Sequence, residues 1–236
     1  MPVTSTNGVF GDPRSAQFLA AAQTVASIPA MHGRPEVPFW SGFDTDLLVT
    51  GRANAGKSTL LNAVLGRRDL LHTSKKPGRT KTLNWFRVGP DPGHLILVDA
   101  PGYGDRGRPE WGELFDHYVQ NREVLRRVYI LFNANHGLNE VDKMMLQSLD
   151  EQCQASSGLK WTLQAIITKT DTVPVKQLVG VVKTMYADIF KAAPTCLYPL
   201  LTSAYSKPHY GVDRVRRSMV EACGLEGVGK TGSRPQ

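Results

Sequence analysis

A chain of 236 residues with 41% hydrophobic composition can bury one good core, so a single globular domain with decorations is expected. No apolar run approaches the ~20 residues of a membrane span. The three cysteines, Cys153, Cys196 and Cys223, form neither a disulfide framework nor a zinc spacing, which suits a reducing compartment. A formal charge of +7 with a pI near 9.4 points to polyanionic company. RNA is favoured over membrane because no basic amphipathic helix stands out.

Residues 1–43 read as an N-terminal extension, with a short helix over 17–28 and a linker over 29–42. Its few arginines make a poor match to a presequence. From residue 44 strands and helices alternate. Strands are predicted at 45–50, 81–88, 94–99, 127–132, 162–168 and 196–201, and helices at 57–65, 110–125, 139–156, 174–191 and 212–223. The link from 88 to 94 is too short for a crossover helix, so those two strands should form an antiparallel hairpin. The expected fold is therefore α/β: a mostly parallel six-stranded sheet with one antiparallel edge strand and helices on both faces.

The first strand runs into Gly51-Arg52-Ala53-Asn54-Ala55-Gly56-Lys57-Ser58-Thr59, which fits the phosphate-loop pattern G-x-x-x-x-G-K-[ST]. A strand, a glycine-bearing turn and then a helix aim backbone N–H groups and the positive helix end at one point, where a triphosphate fits. Lys57 would reach the β- and γ-phosphates and Ser58 would ligate Mg²⁺. Between the first helix and the second strand lies Gly78-Arg79-Thr80-Lys81-Thr82. A loop there needs one hydroxyl that ligates Mg²⁺ while the γ-phosphate is present; Thr80 is the choice and Thr82 the rival. The third strand ends in Asp99-Ala100-Pro101-Gly102, a D-x-x-G turn. There Asp99 would hold Mg²⁺ through water and the Gly102 N–H would touch the γ-phosphate. Thr168-Lys169-Thr170-Asp171 is a variant of N-K-x-D. The Asp171 carboxylate would accept from guanine N1–H and its exocyclic amine, the Lys169 stem would lie along the base, and Thr168 stands in the Asn position. Thr202-Ser203-Ala204 ends the sixth strand, where the Ala204 N–H could meet guanine O6. GTP or GDP with Mg²⁺ is the cofactor set these stations imply.

A second pattern match, Gly224 to Thr231, follows a predicted helix and has no room for a helix after it. Residues 224–236 therefore read as a flexible tail.

Together the stations G-R-A-N-A-G-K-S-T at 51–59, K-P-G-R-T-K-T-L-N-W-F at 76–86, D-A-P-G-Y-G at 99–104, T-K-T-D at 168–171 and T-S-A at 202–204 resemble the EngB (YihA/YsxC) family of P-loop GTPases. The stretch Trp111 to Tyr118 resembles that family's W-G…Y segment, and the resemblance spans roughly 44–223. It implies a G domain that hydrolyses GTP during assembly of the large ribosomal subunit, as a monomer bound to the precursor particle and its rRNA. The family pattern prefers Ser-Asn-Val where this chain has Ala53-Asn54-Ala55, and usually Leu where Ala100 stands. These departures and the extension lean towards a mitochondrial matrix member, the alternative being a bacterial cytoplasmic one.

Two features bear on catalysis and partners. Tyr103 occupies the place where a Ras-type enzyme has its water-orienting Gln, so slow intrinsic turnover is expected. Lys57, Thr80 and Asn54 are the catalytic candidates. Asn54 matches the asparagine of potassium-dependent relatives and would help bind K⁺, unless it simply braces the loop. Arg67, Arg68, Lys75, Lys76, Arg79, Lys81 and Arg87, with Trp85 and Trp111 near in sequence, form a candidate RNA face; the alternative places the tryptophans in the core. Arg122, Arg126, Arg127, Arg214, Arg216 and Arg217 read as helix surface.

Overall fold

The computed structural model describes residues 6–29, 45–71, 82–90, 94–104, 109–155, 160–205 and 207–225, with backbone alone at 109–111. Its sheet has seven strands, β1 (Gln17–Ala22), β2 (Asp46–Gly51), β3 (Leu83–Val88), β4 (Leu95–Asp99), β5 (Leu125–Asn133), β6 (Thr162–Thr168) and β7 (Leu197–Leu201). They lie in the order β1-β3-β4-β2-β5-β6-β7. Six helices accompany them: α1 (Thr6–Phe10), α2 (Lys57–Val64), α3 (Pro109–Asn121), α4 (Glu140–Ala155), α5 (Val175–Ala192) and α6 (Val212–Ala222).

Two expectations need correction. The alanine-rich segment 17–28 is not a helix: its first six residues form β1, antiparallel to β3 with Gln17 opposite Arg87 and Ala22 opposite Leu83. Unpaired ladder groups along β3 satisfy this backbone, and that outweighs a modest helical propensity. The sheet consequently has seven strands, and the antiparallel β3 lies inside it, flanked by β1 and β4. The third predicted helix also stops earlier, at Asn121, because buried Leu125 begins β5 and pairs with Asp46.

Parallel strands covered on both faces read as nearly continuous apolar runs, and β2, β4 and β5 do. Alternate residues feed two cores. Leu48, Val128 and Ile130 pack with α3, α4 and α5. Leu47, Val49, Tyr129 and Leu131 pack with α1, α2 and α6 on the other face. Three of the arginines expected on helix surfaces are structural. Arg122 bonds buried Asp46 at 2.7 Å, and Arg127 is a buried strand residue bonded to Ser218 Oγ at 2.8 Å. Arg216 donates to the carbonyls of Val64 and Ala63, capping the open end of α2. Among the described residues no helix is long and apolar enough to cross a membrane.

The consequence for function is a single rim. β2, β4, β5, β6 and β7 are parallel, so Gly51, Asp99, Asn133, Thr168 and Leu201 all end on the same side of the sheet. In open α/β sheets that is where ligands bind.

Candidate functional site

The phosphate loop leaves β2 at Gly51 and enters α2 at Lys57. Asn54 (φ 65°) and Gly56 (φ 92°) both take left-handed backbone, which curls the loop at the helix start. Ala55 is buried against this curl, while Asn54 is exposed. Arg52, Ala53, Ser58 and Thr59 are partly exposed around the same opening. The Lys57 ammonium is paired with the Asp99 carboxylate at the end of β4. Asp99 is only 4% exposed; burial pushes its pKa above the usual carboxylate range, against the pull of Lys57. Hard oxygen donors from Ser58 and Asp99 beside the head of a helix fit Mg²⁺.

The D-x-x-G turn is stitched to the phosphate loop. The Ala100 N–H donates to Val49 (2.9 Å) and the Ala53 N–H to the Tyr103 carbonyl (3.2 Å), while Arg52 and Tyr103 form a parallel bridge. At Gly102 a Cβ would stand 3.1 Å from the Ala53 nitrogen, so the close approach of the two loops requires glycine. Pro101 is buried in this turn. Tyr103 itself points away from the loop opening. Its hydroxyl donates to Asp142 Oδ1 at 2.9 Å, and burial, then the Asp142 charge, raise its pKa. Asp142 Oδ2 accepts from the Asn139 N–H (3.0 Å) and lies 3.6 Å from Arg52 Nη2. Sequence reasoning missed Asp142. The one available signal was the Asn139-to-Asp142 spacing at the head of α4, where each residue's side chain bonds the other's backbone N–H.

The base-reading loops lie against the phosphate loop. The Thr168 hydroxyl is 2.5 Å from the Ala55 carbonyl and 3.1 Å from that of Phe132, so the residue in the Asn position still braces the loop. Lys169 Nζ donates to the Asn54 carbonyl at 3.0 Å, which ties this station to the phosphate loop. Asp171 sits exposed in a short turn, Thr170–Thr172. Buried Thr170 ties that turn to the next station, both its N–H and its hydroxyl donating to Thr202 at 3.2 Å. Thr202 and Ser203 are buried, and Ser203 exchanges two backbone bonds with Tyr210 (3.0 and 2.9 Å); Ala204 is half-buried.

Gly78, Arg79, Thr80 and Lys81 lie outside the described residues, as do Lys75 and Lys76. Thr82 is described, and its hydroxyl donates to Asn84 Oδ1 at 2.9 Å. Trp85 is fully buried, edge-on to Tyr118 at 5.8 Å, so it is a core residue and not part of an RNA face. The second pattern match has no strand before it: Gly224 closes α6 and Leu225 packs into the core, while 226–236 lie outside the described residues.

The family model described as "50S ribosome-binding GTPase" matches residues 46–166. A "Probable GTP-binding protein EngB" of Rhodopseudomonas palustris (strain BisB18) is 35% identical over 210 residues, covering 87% of this chain and 88% of the relative. The one of Rhodospirillum rubrum is 34% identical over 183 residues, with 74% and 75% covered. Among solved structures, Era with MgGDPNP and a segment of 16S ribosomal RNA superposes with a TM-score of 0.58 at 21% identity, over 81% of this chain and 60% of that one. Toc33 from Arabidopsis thaliana with GDP and Mg²⁺ gives 0.60 at 12% identity, over 78% and 86%. At those identities the structural likeness speaks for the fold.

Proposed function

Because this chain belongs to the EngB family of GTP-binding proteins, we propose that it is a switch on a precursor of the large ribosomal subunit. It binds the particle and its rRNA as a monomer and hydrolyses GTP to leave it. GTPase chemistry comes with the family. The observation that carries the switch is the stitching at the rim. Gly102, placed for the γ-phosphate, precedes Tyr103, whose backbone is bonded to the phosphate loop and whose hydroxyl is bonded to α4. A shift at the γ-phosphate therefore reaches a helix surface that a particle can sense.

In this reading Lys57 exchanges Asp99 for the β- and γ-phosphates, and the loop amides hold the phosphate chain. Ser58 and Thr80 would hold Mg²⁺ directly and Asp99 would hold it through water; the ion would supply charge neutralisation at the phosphates. Asp171 and Lys169 select guanine. Tyr103 has its hydroxyl engaged with buried Asp142, so nothing at that position orients the attacking water, and turnover without the particle is slow. Asn54, exposed with left-handed backbone beside the phosphate position, would help bind K⁺. Equal turnover in K⁺ and Na⁺ would remove that role. The named relatives are bacterial, so a bacterial cytoplasm is the compartment they favour. The mitochondrial matrix rests on the departures from the family pattern and on the N-terminal extension.

The test is multiple-turnover phosphate release with and without large subunits, beside co-sedimentation in GDP and in a non-hydrolysable GTP analogue. Co-sedimentation that depends on nucleotide, with stimulated turnover, is expected; absence of binding in both states would end the reading. The Tyr103–Asp142 bond favours one second reading, an assembly scaffold that binds GTP with negligible turnover, for which subunits would bind without stimulating release.

A further inference from the structure

Among the described residues β7 pairs only with β6, which leaves its outer edge open. Aromatic side chains cluster beside that edge. Tyr198 on β7 is 68% exposed, edge-on to Tyr186 of α5 at 5.0 Å and tilted against Phe190 at 6.1 Å. The Tyr186 hydroxyl donates to the Pro199 carbonyl (3.1 Å), which fixes the ring stack to the strand. Tyr210 is 51% exposed, its backbone held by Ser203. Burial raises the Tyr186 pKa, Tyr198 and Tyr210 raise it further and Arg214 opposes them, so all three lie within electrostatic reach of its hydroxyl.

The charges beside these rings are positive. Arg214, Lys183 and Lys207 are exposed. Two of the three acids on α5 and α6 have cations of their own. Asp213 bonds Arg216 at 3.0 Å, Asp188 acts on Lys143 of α4, and Glu221 lies two turns beyond Arg214. Exposed, pre-positioned tyrosines stack on any base, and neighbouring cations follow the phosphate backbone. A peptide strand fits this edge less well, because Pro199 removes one backbone donor from the ladder it would need.

We propose that the open β7 edge, with the rings of Tyr186, Tyr198 and Tyr210 and the cations around them, is a binding surface for single-stranded RNA. The choice of RNA as occupant rests on the ribosomal reading above, and it moves the contact away from buried Trp85. The surface adjoins the guanine station directly, since Ser203 and Tyr210 are bonded to each other.

The test is fluorescence anisotropy of a labelled oligouridylate of about ten nucleotides, a length within single-strand site sizes. The full chain with GDP is titrated in a salt series. The double variant Tyr198→Ala with Tyr210→Ala is expected to bind at least about tenfold more weakly, since each stacked base is worth roughly five- to a hundredfold. Tyr198→Phe should stay within about twofold, and Arg214→Gln should lower the salt slope by about one. Unchanged GDP affinity in each variant shows that the fold is intact. Wild-type protein that ignores the oligonucleotide, or a double variant that binds it as tightly, would overturn the proposal. So would a photo-crosslinker at position 198 that, on ribosomal particles, labels protein and never RNA. Oligonucleotide binding lost in the double variant, in a protein that never co-sediments with subunits, would uphold the surface and dismiss the ribosomal partner.

Discussion

Tyr103→Phe and Asp142→Ala, singly and together, test the link between the D-x-x-G turn and α4. The Tyr103 hydroxyl donates to a carboxylate that is 1% exposed, and both groups are shielded from water. A hydrogen bond to a charged acceptor is worth about 1.5–3 kcal/mol, so Tyr103→Phe should lower stability by that amount. At about 2–4 °C per kcal/mol for a chain of this size, the midpoint should fall by about 3–12 °C. Asp142→Ala also removes the bond from the Asn139 N–H and orphans the buried hydroxyl of Tyr103, for a loss of about 3–5 kcal/mol. The Arg52 side chain is a quarter exposed, so its 3.6 Å ion pair adds at most about 1 kcal/mol. The decisive quantity is the cycle. With Asp142 gone, Tyr103→Phe deletes an orphan hydroxyl and should be neutral or stabilising, giving a coupling of about 2 kcal/mol or more. Urea unfolding of the nucleotide-free chain measures all four corners, and additive losses would refute the bond. Single-turnover hydrolysis supplies the second check: Tyr103→Phe should stay within about twofold, because the hydroxyl is not at the phosphates. A tenfold loss would contradict that orientation.

Asp171→Asn should weaken GTP by about two orders of magnitude, one to two charge-assisted bonds being lost or inverted, and should restore binding of XTP. Competition against a fluorescent GDP measures both, and ATP binding as well as GTP would dismiss the base assignment. Thr168→Val keeps the shape but leaves the Ala55 carbonyl without its hydroxyl partner, so it should cost about 1–3 kcal/mol in urea unfolding. Burial pushes the thiols of Cys223 and Cys196 up to about 11 and about 12, from an unfolded value near 9.0. The folded state then holds protons that the unfolded state releases, so stability should fall as pH climbs past 9.0. Cys223→Ala should flatten that decline in pH-dependent thermal scans, and an unchanged slope would contradict it.

The stations were legible because each combines a local pattern with a parallel strand end. Lys57, Asp99 and Thr168 all fall where a strand rich in Val, Ile and Leu meets a polar turn, and a parallel sheet sends such ends to one rim. What the sequence hid was decided by distant partners. Segment 17–22 looks helical in isolation; only the unpaired side of β3 makes it a strand. Trp85 sits among basic residues along the chain, yet it packs with Leu83 and Tyr118 in the core, while Arg87, two residues on along the same face, reaches out to Gln17. Asp142 lies 39 residues from Tyr103 and bears no motif, so only the fold reveals that it holds the residue after the D-x-x-G turn. Arg216 likewise reaches α2 across 152 residues.

The loop departures can be weighed the same way. Where the family prefers Ser-Asn-Val, the chain has small residues on both sides of Asn54. A Cβ placed on Gly51 would already stand 3.4 Å from Ala55 Cβ and 3.0 Å from Leu131, so the curl leaves little space beneath it. Thr168 reaches the Ala55 carbonyl at 2.5 Å from this crowded side, and a shorter reach than an asparagine's suffices when the loop residue above it is small. Lys169 completes the clasp by bonding the next carbonyl back, that of Asn54. A small residue at 55 and the short Thr168 brace therefore act together, the hydroxyl reaching the loop carbonyl directly. On this argument Ala55→Val and Thr168→Asn should each disturb GDP affinity more alone than together. Measured affinities that simply add would show that the two positions are independent.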